Sequence, residues 1–392
     1  MRFNTRSGEK RNGVARKNGV RLGVENLERR DNPAPYATGA AAGGAPHVQV
    51  FDGSGAVIRS FYAYDASFTG GVRVAMADLN GGGTPDLITA PGPGGGPEIR
   101  IFSGESGYTQ QIADYFAFDS SDRGGVYVAA GDVNGDGFGD VVVSGFDRAS
   151  MSAKVRVFSA FLSQMLPSGI QDYNPWGTGN NYVPGFPVAV GDTDGNDGHS
   201  EIIVGNPGGN YNVHTDYFGY VATTGQYDRV RVEDPPDAKV YDYFTASVEQ
   251  NLDFGLFSSS QPVFVTPPPL NFIYNYQTQY NQPVMVGAGD IDGDGKADVV
   301  AGASSTTSLA SKLFYKRTTT NAISSFNPFG SSNGTVSVAV RNIDGLGTAE
   351  VLVGSGAGIA SAVNVYNYSW GNLGLLRTQS PYGGFNGGVW VG

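Results

Sequence analysis

The chain contains no cysteine, which excludes disulfides, thiol nucleophiles and cysteine-ligated zinc, while leaving the compartment open. Histidine is almost as scarce. His47 precedes an apolar run, His199 lies inside an acidic loop and His214 sits in a polar stretch, and none belongs to an H-E-x-x-H motif. A G-x-S-x-G elbow and a Walker loop are also missing. "GPGGGP" at 92–97 is glycine-rich, but its prolines remove backbone donors, so it reads as a turn. "GSGAG" at 354–358 lacks the spacing and the following helix of a dinucleotide fingerprint. No apolar run is long enough to cross a bilayer as a helix. No long amphipathic helical pattern is present either. These absences leave no catalytic constellation, and the expectation is a protein that is not an enzyme.

What is abundant is glycine, 59 of 392 residues, between short runs of Val, Ile, Tyr and Phe. That composition predicts strands and tight turns. The charge is unevenly placed. Residues 1–30 hold nine Lys/Arg against three Glu, and the remaining 16 basic residues face 33 acidic ones. An acidic body argues against nucleic acid as a partner and favours cations. The polar, basic head has no apolar signal core, so 1–35 reads as a disordered segment or an export or processing signal, and 36–392 as the folded body.

The body repeats. "FYAYDASFTGGVRVAMADLNGGGTPDLITA" from Phe61 aligns without a gap on "YFAFDSSDRGGVYVAAGDVNGDGFGDVVVS" from Tyr115. Looser copies follow, and their loops begin at Asp78, Asp132, Asp192, Asp290 and Asn342. A second half recurs as "HVQVFDGSG", "EIRIFSGESG", "KVRVFSAF", "KVYDYF" (from Lys239), "KLFYKR" and "VNVYNYSWG", each a third strand, with a fourth after several of them. Four short antiparallel strands per repeat of about fifty residues describe a β-propeller blade. The fold class is therefore all-β, a propeller of four-stranded antiparallel blades. Five internal blades and one shared blade give six, and the long Asp192–Asp290 interval leaves seven as the alternative. "GGVWVG" at the C-terminus matches the first strand of other copies, so it is expected to join the N-terminal strands and close the ring. The second strand of that shared blade is not evident in the sequence, which gives the chain the look of a fragment.

Between strands one and two stands D-x-[DN]-x-D-G-x-x-D. Oxygens at positions 1, 3, 5 and 9, with the carbonyl at position 7, can converge on one hard cation. The competing reading is an Asx-rich turn. Two loops carry the fullest sets: Asp132, Asn134, Asp136, Phe138 (carbonyl) and Asp140, and Asp290, Asp292, Asp294, Lys296 (carbonyl) and Asp298. A third offers Asp192, Asp194, Asn196 and Glu201, with Asp197 as an alternative. In the first, Gly82 replaces the central acid and leaves Asp78, Asn80 and Asp86. The last, with Asn342, Asp344, Leu346 and Glu350, is expected to keep the turn without an ion. Two or three Ca²⁺ per chain follow. No Glu stands at position 12 and no helices flank the loops, which excludes an EF-hand.

"VAAGDVNGDGFGDVVVSG" and "VGAGDIDGDGKADVVAG" resemble the FG-GAP (VCBS-type) repeat of the integrin α-subunit head and many bacterial surface proteins. The resemblance implies a propeller with Ca²⁺ in the strand 1–2 loops and an extracellular or cell-surface role in adhesion. "LGVENLERRDNPAP" also resembles the N-terminal signature of planctomycete-type exported proteins. The Tyr- and Asn-rich stretches 171–185 (with Trp176), 206–237 and 266–282 are expected on the rim opposite the acidic loops, where aromatic faces suit a protein or carbohydrate partner. The chain reads as a monomeric binding module without a membrane span. A polysaccharide-acting lyase or hydrolase on the same fold is the alternative.

Overall fold

The computed structural model describes residues 33–159, 164–165, 185–193, 199–205, 215–221, 226–233, 283–304, 310–317 and 323–392. The 1–32 head, Trp176, His214 and the 266–282 stretch lie outside them.

The described strands form six four-stranded antiparallel sheets. Five are contiguous blades, each made from four consecutive strands. The first holds β4 (Val72–Ala77), β5 (Asp86–Pro91), β6 (Glu98–Phe102) and β7 (Gln111–Phe116). The second holds β8 (Tyr127–Gly131), β9 (Asp140–Asp147), β10 (Ser152–Ser159) and the two-residue β11 (Gln164–Met165). The third is β12 (Val188–Gly191), β13 (Glu201–Val204), β14 (Thr215–Val221) and β15 (Gln226–Glu233). The fourth is β16 (Met285–Gly289), β17 (Asp298–Ala303), β18 (Lys312–Lys316) and β19 (Ile323–Phe326). The fifth is β20 (Ser337–Arg341), β21 (Glu350–Gly354), β22 (Val363–Ser369) and β23 (Asn372–Gln379). The remaining sheet is composite, in the order β24 (Val389–Val391), β1 (Tyr36–Ala40), β2 (His47–Phe51), β3 (Val57–Tyr62). The innermost strands of adjoining sheets touch in the sequence β4, β8, β12, β16, β20, β24, with β24 and β1 against β4.

Two expectations need correction. The interval from Asp192 to Asp290 contributes one sheet among the described residues, so a seventh blade finds no support. Its third and fourth strands are β14 and β15, inside the stretch read from sequence as a rim insertion, whereas Lys239–Phe244 lies outside the described residues. Second, the composite sheet does have a second strand. Tyr36–Ala40 fills that place, pairing Thr38–Ala40 with Val391–Val389 on one side and Tyr36–Gly39 with Phe51–Val48 on the other.

The burial of each strand follows from its place in the blade. Second strands are enclosed on both faces and, after an opening acid, read as mostly apolar runs: Asp86–Pro91 and Glu350–Gly354 are buried throughout. Fourth strands face solvent and alternate, as in Val57–Tyr62 and Gln111–Phe116. Four of the third-to-fourth strand pairings shift register at a bulge, between Val50 and Phe51, Ile101 and Phe102, Tyr217 and Phe218, and Val365 and Tyr366. A bulge raises local twist, which suits sheets packed face to face around an axis. Packing between blades is close. A Cβ added to Gly39 would stand 2.1 Å from the carbonyl oxygen of Val72, so position 39 of β1 admits only glycine.

Candidate metal centre

The Asp78, Asp132 and Asp290 loops between first and second strands are shaped by their own side chains. In these three the carboxylate at position 1 accepts backbone N–H groups from three glycine or acidic positions later in the loop. Asp132 Oδ1 takes Gly135 and Asp136 at 2.7 and 3.1 Å, and Oδ2 takes Gly137 at 2.8 Å. Asp290 repeats this with Gly293, Asp294 and Gly295 at 2.6, 3.2 and 2.9 Å. Asp78 does the same with Gly81, Gly82 and Gly83. Positions 4 and 6 are glycine because both are left-handed: Gly135 and Gly137 have φ of 74° and 87°, Gly293 and Gly295 81° and 84°.

Position 9 supplies a buried carboxylate at the first residue of the second strand. In every loop its oxygen accepts the N–H of position 2: Leu79 to Asp86 (3.3 Å), Val133 to Asp140 (3.3 Å), Thr193 to Glu201 (2.7 Å), which one extra loop residue moves to position 10, Ile291 to Asp298 (3.2 Å) and Ile343 to Glu350 (2.9 Å). Burial raises Asp140 to about 7, and the charges of Asp136 and Asp132 act in the same direction. Burial likewise lifts Glu350 to about 7 and raises Asp86 and Asp292, the last also through repulsion from Asp294 and Asp290.

The Asp290 loop brings its acids together best. One ligand oxygen each from Asp290, Asp292 and Asp294 lies within 4.8 Å of the others. Asp292 Oδ1 is buried with no donor, an orphaned acceptor of the kind a cation would satisfy. Asp294 Oδ1 accepts the Lys296 N–H at 2.8 Å and the buried Asp298 opens the next strand, so the donor set fits a hard divalent ion. In the Asp132 loop, Asn134 Nδ2 donates to Asp136 Oδ2 at 3.1 Å, and Phe138 N–H donates to Asp136 Oδ1 at 2.9 Å. Asp192 and Glu201 belong to the described residues of the third loop, whereas Asp194, Asn196 and Asp197 lie outside them. In the Asn342 loop, Asn342 and Asp344 cap Gly345 and Leu346, and the Leu346 side chain is exposed.

Two residues at these loops were not legible as such in the sequence. In the first loop, a Cβ on Gly82 would stand 1.7 Å from Glu105 Oε1. Glu105, from the turn between β6 and β7, thus places its carboxylate where the missing central acid would project. It is held there by Asn80 Nδ2 at 3.2 Å and the Ser103 hydroxyl at 2.8 Å. Arg341, where other loops have Gly or Ala before position 1, donates from Nε to the carbonyl of Pro35 and from a terminal nitrogen to that of Met76, both at 2.8 Å. It ties the fifth blade to the composite sheet and to the first blade. Enclosure lowers its pKa to about 10.

The loops are also strung together through backbone alone. Gly139, Ser200, Ala297 and Ala349, each just before a position-9 acid, donate to the position-1 carbonyl of the preceding loop: Asp78, Asp132, Asp192 and Asp290, at 2.6–2.8 Å. Ala34 completes the series on Asn342 at 3.2 Å. The equivalent residue of the first loop is Pro85, which has no N–H.

Residues 286–317, which include the Asp290 loop, match the FG-GAP repeat model. No curated protein matches the chain significantly. Among solved structures it resembles a rhamnogalacturonan lyase of Bacillus licheniformis at 12% identity and a TM-score of 0.41, over 82% of this chain and 64% of that one. It also resembles AofleA of Arthrobotrys oligospora at 10% identity and a TM-score of 0.45, over 92% and 90% of the two chains. The chain thus spans slightly under two thirds of the lyase, and likeness at this level decides nothing about activity. Sheet pairing and the one matched repeat together identify the class: this is a repeat β-propeller of four-stranded antiparallel blades carrying an FG-GAP repeat.

Proposed function

We propose that this protein is a calcium-stabilised, non-enzymatic binding module, exported or displayed at the cell surface, in which the composite sheet serves as the sixth blade of a closed ring. The observation that carries the reading is the Asp290 loop, where three carboxylates converge and Asp292 Oδ1 is buried without a donor. Asp290, Asp292, Asp294 and Asp298, with the Lys296 carbonyl, would hold one ion. Asp132, Asn134, Asp136 and Asp140, with the Phe138 carbonyl, would hold a second. Glu105 supports a third at Asp78, Asn80 and Asp86, where the sequence alone favoured little. A protein or carbohydrate partner on the opposite rim is the expected ligand, and the chain acts as a monomer.

The experiment is calorimetry with chelator and calcium. A ligand bound only by the folded state adds about 2.7 kcal/mol when present at a hundred times Kd. EDTA should lower Tm and Ca²⁺ restore it, with Mg²⁺ a poor substitute because it demands a tighter octahedron. Asp294→Ala and Asp136→Ala should each remove one ion, whereas Leu346→Ala should leave the stoichiometry unchanged. No calcium binding at millimolar ion would reduce these loops to Asx turns. Turnover of an acidic polysaccharide by the same preparation would replace the binding-module reading with that of a lyase or hydrolase.

A further inference from the structure

At the end of the inner strands away from the acidic loops, one charge is enclosed without an opposite. The residues five positions before each loop start are Arg73, Tyr127, Pro187, Met285 and Ser337, and Trp390 matches them in the composite sheet. Arg73 is the one charged side chain of this set, and it is 6% exposed. One terminal nitrogen donates to the Val126 carbonyl at 2.8 Å, and Nε is buried with no acceptor. Its guanidinium carbon lies 3.8 Å from the Tyr127 ring centroid and 5.1 Å from that of Trp390. Those two rings come from the sheets on either side of Arg73 and meet edge to face at 6.2 Å. No carboxylate is within ion-pair distance of Arg73 among the described residues.

Two other enclosed cations are matched. Lys154 pairs with Asp147 at 2.9 Å, and Arg341 donates to two carbonyls. Aromatic faces offset only part of the cost of removing a guanidinium from water, and an unused buried N–H adds to that cost. What is missing is an anion. A guanidinium presents parallel donors that fit a planar two-oxygen acceptor better than a spherical ion. We propose that Arg73, flanked by Tyr127 and Trp390, is a binding site for a carboxylate group at the axis of the propeller. The half-buried Trp390 ring would face the body of a small organic acid, such as an acidic sugar. This site is independent of the cation reading and lies at the other end of the inner strands.

The test replaces chloride by acetate or glucuronate at constant ionic strength, with glucose as the uncharged control and Ca²⁺ held at a saturating concentration throughout. Tm and tryptophan emission are followed for wild type, Arg73→Met and Arg73→Lys. Acetate and glucuronate should raise wild-type Tm and shift the emission, and glucose should do neither. Arg73→Met should weaken the response at least about tenfold and Arg73→Lys by less, since lysine keeps the charge and loses the fork. If Arg73→Met does not fold, Arg73→Lys carries the comparison. Equal responses from variant and wild type would overturn the proposal, as would wild type unmoved at about 100 mM of either acid, a concentration at which any millimolar site is filled. Chloride as effective as the carboxylates would overturn the assignment of ligand class.

Discussion

Glu350 offers a test of the loop chemistry that needs no metal. It opens β21 at position 9 of the loop with the exposed Leu346, is 1% exposed, and accepts one N–H from Ile343. Burial moves its carboxyl from 4.5 to about 7. The folded state therefore holds a proton that the unfolded state has released. Below pH 4.5 both states are protonated and the site costs nothing. Between 4.5 and 7 the unfolded chain binds fewer protons, so stability falls as pH rises. The loss runs at about 1.4 kcal/mol for each pH unit crossed, and above 7 it is complete, at about 3 kcal/mol as an upper figure. Glu350→Gln mimics the protonated acid and keeps an oxygen for the Ile343 N–H. In EDTA, the variant should match wild type near pH 4 and exceed it increasingly up to pH 7. The gap should then hold at about 2–4 °C in Tm, less per kcal/mol than a smaller domain would show. Thermal unfolding across pH 4–9 measures it. A gap that is constant with pH, or a wild type that gains on the variant as pH rises, would refute the reasoning.

Three further outcomes follow from named contacts. Gly82→Ala sets a Cβ against Glu105 and should destabilise, and pairing it with Glu105→Ala should recover most of the loss in a double-mutant cycle. Arg341→Met removes the two carbonyl bonds that link three sheets. At about 1.5–3 kcal/mol for a hydrogen bond to a charged group, it should lower urea-unfolding stability by at least about 2 kcal/mol, and no change would show that the strut is dispensable. Ala349→Pro deletes the N–H that reaches the Asp290 carbonyl. It should speed amide exchange in the Asp290 loop more than in the Asp132 loop, and equal effects on both would argue against a local link.

Much of this architecture was written locally. The glycines at positions 4 and 6, the acids at 1 and 9 and the apolar strand that follows lie within about a dozen residues, so one loop and its two strands could be read from one stretch. What failed to show was set by distance or by local composition. Glu105 belongs to another hairpin, and nothing near Gly82 announces it. β1 is "YATGA", in which Gly39 is required by the approach of Val72, and after Tyr36 it carries no alternating pattern to mark a strand. β14 and β15, "TDYFGYV" and "QYDRVRVE", are polar and aromatic enough to pass for a rim loop, and "KVYDYF" imitated the third-strand signature more closely. Nothing local sets Arg73 apart, because its enclosure depends on rings from two other sheets.

The string of N–H to carbonyl bonds between successive loops uses main-chain atoms only. Side chains can therefore drift without cutting it. The Asn342 loop shows the result: Leu346 stands where an acid would, yet Ala349 still reaches Asp290, and Asn342 still receives Ala34. A repeat can thus lose or regain its acidic residues over evolutionary time while its place on the rim is kept, because register is inherited through the backbone and ion chemistry through the side chains. Each loop becomes a separate experiment in charge carried on a common thread, which accounts for five linked neighbours with five different compositions.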